Sequence, residues 1–194
     1  SPVLDLGLDY RWARIWEGFG EDPYLVSALG VEMVRGYQGE DKNKIDKYHI
    51  GACAKHYLGY SVPVSGKDRT PANIPENVLR EYHLPPFKAA VDAGMVSIMV
   101  NSGLINGEPV HASHFLITGL LKEELGFDGV VVSDWNDIEN IWRRDKVATS
   151  LKDAVRLAIN AGIDMSMIPY DYRFCDYLVQ LVNEGAVSVS RVDD

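Results

Sequence analysis

The chain has 194 residues, 46% of them hydrophobic, enough for one domain with a real core. With 28 acidic and 19 basic residues the formal net charge is −9, which disfavours nucleic acid and anionic membranes as partners. No apolar stretch approaches the roughly 20 residues of a membrane span, no basic run resembles a polybasic arm, and two cysteines cannot build a disulfide framework.

The first apolar run, Pro2-Val3-Leu4-Asp5, reads as a strand without a leader. Asp22 can then cap a helix with Pro23 at its first position, and Leu25, Val26, Leu29, Met33 and Val34 repeat at helical spacing until Gly36 or Gly39. The charged stretch Glu40 to Tyr48 reads as a solvated loop. A second strand, Gly51 to His56, holds Cys53, expected as a small buried hydrophobe. The long segment from Leu58 to Asn73 carries Gly59, Pro63, Gly66 and Pro71; so long a connection without a pattern is usually functional or disordered. A helix near Pro75 places Val78, Leu79 and Tyr82 on one face. Pro85-Pro86 is expected to break or kink it before Phe87, Ala90 and Val91 resume.

A third strand, Val96 to Asn101, leads into a Gly/Asn-rich turn over Ser102 to Gly107. A helix from about Ser113 carries Phe115, Leu116, Leu120, Leu121 and Leu125, with Gly126 just past its end. The fourth strand, Val130 to Asp134, begins as the unbroken apolar run of a parallel strand covered on both sides. Thr149 or Ser150 caps a helix whose Leu151, Ala154, Val155, Ala158 and Ile159 face inward. Gly162 to Ser166 forms the fifth strand, Phe174, Leu178, Val179 and Val182 mark another helix, and a further one begins near Arg191.

This alternation predicts an α/β fold with a parallel sheet, whose chemistry sits at the carboxyl ends of the strands. About five β/α units do not close an eight-stranded barrel. Either the sheet is open or three units lie outside the chain; the abrupt ends favour the second, so residues 1–194 are expected to form an incomplete barrel domain.

Asp134 is the leading chemical candidate: a carboxylate at a strand's end, beside Trp135, suits a nucleophile against a sugar, because sugars stack on aromatic rings. The alternative is a cap on the following turn. Lys55 and His56 end the second strand and can donate to substrate hydroxyls. Lys55 could instead form a Schiff base, or the pair could serve a structural ion pair. Arg11 and Arg14 alternate with Trp12 and Trp16, as a substrate fork or as a solvated turn. Asp5 and Asp164 could pair with Asp134 as acid and base, or orient neighbours. Met99 reads as core. His111 and His114 lack a third ligand, so no metal site is expected.

Several ordered segments resemble glycoside hydrolase family 3, across essentially the whole chain: Arg11-Trp12-Ala13-Arg14 with Phe19-Gly20-Glu21-Asp22-Pro23, Ala52 to Tyr57, Asn106 to Ser113, Gly129 to Trp135, and Ala161 to Met165. The resemblance implies a partial TIM-type (β/α)8 barrel and a retaining, exo-acting β-glycosidase without cofactor or metal. Asp134 would be the nucleophile. Arg14, Lys55 and His56 would bind hydroxyls of the terminal sugar, Trp135 and Met99 would wall it, and Asp68 and Arg69 could reach it. Tyr10, Ala13 and Ser102 depart from the family pattern, Ser102 standing where some relatives have Tyr. No Asp-His dipeptide follows Lys55-His56, which argues against N-acetylhexosaminidase chemistry and for a β-glucosidase or β-xylosidase acting on a β-linked glucoside or oligosaccharide. The family's acid/base carboxylate, and another sugar-binding Asp, are expected outside this chain. The remaining alternative is a non-catalytic sugar-binding or structural half-barrel, and its open sheet edges predict self-association. Location is left open, a periplasmic or secreted enzyme being compatible.

Overall fold

The computed structural model describes residues 1–194. Its strands are β1 (Cys53–Tyr57), β2 (Ser97–Val100), the short β3 (Leu104–Ile105) and β4 (Glu108–Pro109), and β5 (Val130–Val132). β1, β2 and β5 form a parallel sheet in that order, with Ile98 facing Ala54 on one side and Val131 on the other. Two further segments dock on its edges through single parallel bridges, Val3 to Lys55 and Met165 to Val132. Five parallel segments therefore lie side by side in chain order, an arc of a TIM-type α/β barrel wall.

The two outer segments are shorter than the sequence suggests. Pro2 has no N–H to give to a ladder. At the other end Gly162, with φ of 116°, closes the preceding helix. Beyond Met165 the chain turns back, Met167 N–H donating to Ser133 Oγ and Met167 O accepting from Asn136 N–H.

The sheet sorts its side chains by alternation. Ala54, Ile98, Val100 and Val131 are buried under the helices. Cys53, Lys55, Ser97 and Met99 are half-buried on the opposite face, the inside of the wall, so Cys53 is less enclosed than expected. Val130, at the strand's start, is exposed rather than covered on both sides.

Helix α1 (Pro23–Gln38) begins as predicted: Asp22 accepts from the N–H groups of Tyr24 and Leu25, and Gly39 ends it at φ 90°. Its buried seam is Val26, Gly30, Val34 and Gln38, rotated from the predicted face, and Leu25 and Leu29 are exposed. Gly30 sets that seam, because a Cβ there would meet Leu4 Cδ2 at 2.6 Å. The Gln38 amide joins the starts of two strands, accepting from Ala52 and Val96 N–H and donating to Gly94 O.

Helices α2 (Glu76–Val78) and α3 (Leu84–Asp92) run on through a π-turn over Leu79–His83. Pro85-Pro86 does not break the helix: Leu84 N–H reaches back five residues to Leu79 O, and the widened turn absorbs the two prolines at the start of α3. The Asn106-Gly107 turn of the β3–β4 hairpin has both residues at positive φ, 53° and 88°, the pairing that tight hairpins favour. A π-helix (Phe115–Glu124), α4 (Asp137–Arg143), α5 (Leu151–Ala161), α6 (Arg173–Asn183) and α7 (Val189–Asp193) complete the chain. Ser150 and Asp153 cap α5 reciprocally, Ser150 Oγ accepting from Asp153 N–H and Asp153 Oδ2 from Thr149 N–H. No helix is long and apolar enough to cross a membrane.

Candidate active site

The carboxyl ends of the parallel segments carry two charged groups. The first centres on Arg14, which follows a short turn and precedes the 3-10 helix Ile15–Glu17. Its guanidinium grips Glu17 with two bonds of 2.7 and 2.8 Å and lies 3.0 Å from His56 Nε2. Arginine has only donors, so Nε2 must accept; the ring proton is then on Nδ1, which donates to Asp5 Oδ2 at 2.8 Å. Asp5 Oδ2 also accepts from His56 N–H. Both ring nitrogens of His56 are thus engaged, and the Asp5 carboxylate is bonded to His56 rather than to any group around Asp134. The Glu17 contact pushes Arg14 above its already high range, and Arg14, chiefly through its hydrogen bonds and with Lys55 adding to it, holds Glu17 below the usual carboxylate range. Lys55 itself makes no ion pair within 4 Å.

The second group centres on Asp134, two residues beyond the end of β5, where the carboxylate is almost wholly buried. Its Oδ1 accepts from Trp135 N–H at 2.5 Å and from Arg69 Nη2 at 3.3 Å, while Oδ2 makes no hydrogen bond to the protein. Arg69, on the long Leu58–Asn73 segment, also donates to Ser102 Oγ at 2.8 Å and lies 3.5 Å from Asp137 Oδ2. The guanidinium therefore sits among three carboxylates, Asp68 being the third, and a hydroxyl. Asp137 is fully buried, and its Oδ1 takes bonds from Asn140 and Arg144.

Aromatic residues join the two groups. The Tyr60 ring lies 4.9 Å from His56 and 5.2 Å from Trp12, with Arg14 over its face at 5.6 Å. Burial and nearby Asp68 push its phenol far above the ordinary range. Trp12 Nε1 donates to Asp68 Oδ1, and Asp68 lies 3.8 Å from Arg69. Trp135 is half-exposed and meets Tyr170 edge to face at 6.1 Å.

Arg14, Lys55, His56, Asp68, Arg69, Asp134 and Trp135 thus gather at one rim, with Met99 on the inner face of β2. Other candidates lie elsewhere. Arg11 pairs with Asp9 in solvent, Trp16 is exposed, and Asp164 is held by Lys122, Arg191 and Val131 N–H, away from Asp134. No group of three or more metal-ligating side chains is present. The sequence reading did not single out Glu17, Tyr60, Asp137 or the bond from Asp134 to His111. Asp137, three residues after Asp134, and Glu17, three residues after Arg14, had spacings that could have signalled them.

The whole chain, residues 1–194, matches the description "Glycosyl hydrolase family 3 N terminal domain". It belongs to glycosyl hydrolase family 3. This family 3 chain is 47% identical to a lysosomal β-glucosidase of Dictyostelium discoideum, covering 100% of the chain and 24% of that protein. It is 41% identical to a β-xylosidase of Formosa agariphila over 87% of the chain and 24% of the relative. The structure of a β-glucosidase from Listeria innocua in complex with glucose superposes with a TM-score of 0.92 at 33% identity, covering 100% of this chain and 26% of that one. The family 3 chain thus spans about a quarter of the length of the relatives it matches.

Proposed function

We propose that the chain supplies the nucleophile side of a retaining, exo-acting β-glycosidase, most simply a β-glucosidase. The observation that carries this reading is the Asp134 carboxylate at the rim of a family 3 barrel: one oxygen is fixed by Trp135 N–H and Arg69, and the other is enclosed yet has no hydrogen-bond partner in the chain. In this reading Oδ2 attacks the anomeric carbon of a terminal β-linked glucose as the glycosidic C–O bond breaks, giving a glycosyl ester that water then opens. Retention requires a second carboxyl group about 5–5.5 Å away. Neither Asp5 nor Asp164 is placed to serve, so the acid/base, like the rest of the barrel, is proposed to come from outside residues 1–194.

Lys55, with no ionic partner, and Arg14 are the groups proposed to hold hydroxyls of the terminal sugar. His56, with both nitrogens occupied, is proposed to act by fixing Arg14 or by exchanging that bond for one to the sugar. Trp135 and Met99 form the apolar wall, and Asp68 and Arg69 border the entrance. An activated fluoroglucoside incubated with the intact enzyme is expected to attach to Asp134, read by peptide mass mapping. Attachment to a different carboxylate would overturn the assignment. Asp134→Ala is expected to lower kcat by about 10³-fold or more. The similarity to a β-xylosidase favours xylose as the second reading, and the ratio of kcat/KM on aryl β-glucoside and aryl β-xyloside separates the two.

A further inference from the structure

We infer that His111 is a positioning residue for Asp134, holding the backbone of the nucleophile by accepting its N–H. The inference rests on the nucleophile reading above. His111 lies on the 3-10 turn Val110–Ala112, between the β3–β4 hairpin and the π-helix. Its Nε2 is 3.0 Å from Asp134 N. A backbone N–H can only donate, so Nε2 must present its lone pair, and the neutral ring then carries its proton on Nδ1. Burial enforces that state: His111 is 2% exposed, and its enclosure pushes it below the ordinary histidine range. Of the charges facing it, Asp137, Asp134 and Asp145 oppose that shift and Arg144 adds to it.

The chain needs such an acceptor here. The ladder ends one residue earlier, with Ser133 N–H on Met165 O, and Asn136 then turns to φ 59°. Asp134 N–H has therefore left the sheet, and without His111 it would be a buried donor with no protein partner. The turn that carries His111 is itself pinned, by Val110 N–H on Gly103 O and Ser113 Oγ on Glu108. Because Asp134 Oδ1 is bonded to the next peptide N–H, the placement of this backbone decides where Oδ2 points. His111 thus acts on the carboxylate through the main chain, without touching substrate.

The test uses the intact enzyme, with His111→Phe removing the acceptor and His111→Gln restoring one at a similar reach. The rate of Asp134 labelling by the fluoroglucoside and kcat are expected to fall about 10–100-fold in His111→Phe, since displacements of about 1 Å at a reacting group have effects of that size. KM should stay within about threefold, because the sugar contacts are untouched, and His111→Gln should recover most of the lost rate. If His111→Phe fails to fold, His111→Asn, whose amide stops short of Asp134, takes its place with the same expected loss. Labelling of Asp134 at an unchanged rate in the acceptor-free variant, or a His111→Gln variant as impaired as it, would overturn this inference alone. Labelling of the wild-type enzyme at a different residue would overturn the nucleophile reading and this inference with it.

Discussion

Three buried histidines in this chain have three different fates, each set by what surrounds the ring. His56 is bonded at both nitrogens, to Arg14 and Asp5. His111 is enclosed and accepts one backbone N–H. His83, at the π-turn, is buried, and enclosure pushes it down to about 4, with only Asp5 opposing. An unfolded chain protonates that ring near 6.5, so between pH 6.5 and 4 the unfolded state binds more protons and native stability falls as the pH falls. The loss is about 1.4 kcal/mol per pH unit at its steepest and roughly 3 kcal/mol across the window. Above pH 6.5 His83 adds no slope. Urea midpoints measured across this range should therefore drop toward acid, and His83→Gln should flatten the curve; an unchanged slope in that variant would show that His83 is not responsible.

At the scale of elements, the joints between helix and sheet are the sensitive points. Gly162 ends α5 at φ 116° and leads into the last parallel segment, and a Cβ there would meet Ile117 Cγ2 at 2.7 Å and Thr118 Oγ1 at 2.9 Å. Gly162→Ala is expected to destabilise by about 2–3 kcal/mol, through strain at positive φ and overpacking together. Gly36, inside α1, meets nothing within 4 Å. Gly36→Ala should stabilise by roughly 0.5–1 kcal/mol, because alanine loses less backbone freedom in a helix. Chemical denaturation of the two variants checks both signs. The caps at Asp22 and Ser150 and the stop at Gly126 were legible in the sequence, because capping is a local exchange of hydrogen bonds. The continuity of the helix through Pro85-Pro86 was not. A π-turn is a response of the backbone to the prolines, and residue types alone carry no signal for it.

Across the whole molecule, the order of the parallel segments follows from the β/α alternation, and the strand-end positions of Lys55, His56 and Asp134 followed with it. What the sequence did not carry is long-range. Arg69 meets Ser102 and Asp134, 33 and 65 residues away, only once the Leu58–Asn73 segment folds over the rim. Asp5 acquires His56, 51 residues away, in the same way. The outer segments at Val3 and Met165 each pair on one side only, so the arc is open. Expressed alone, the 194-residue chain is expected to associate through these edges and to hydrolyse aryl β-glucosides weakly or not at all. Light scattering from a clean monomer, or brisk turnover by it, would contradict this.

The triple hold on Arg69 bears on the time between two half-reactions. Esterification of Asp134 would erase one of the three negative charges beside the guanidinium, yet Asp68 and the buried Asp137 keep the others. The cation then has no electrostatic reason to swing out while the sugar is attached. The incoming water would meet the same doorway that the departing alcohol left.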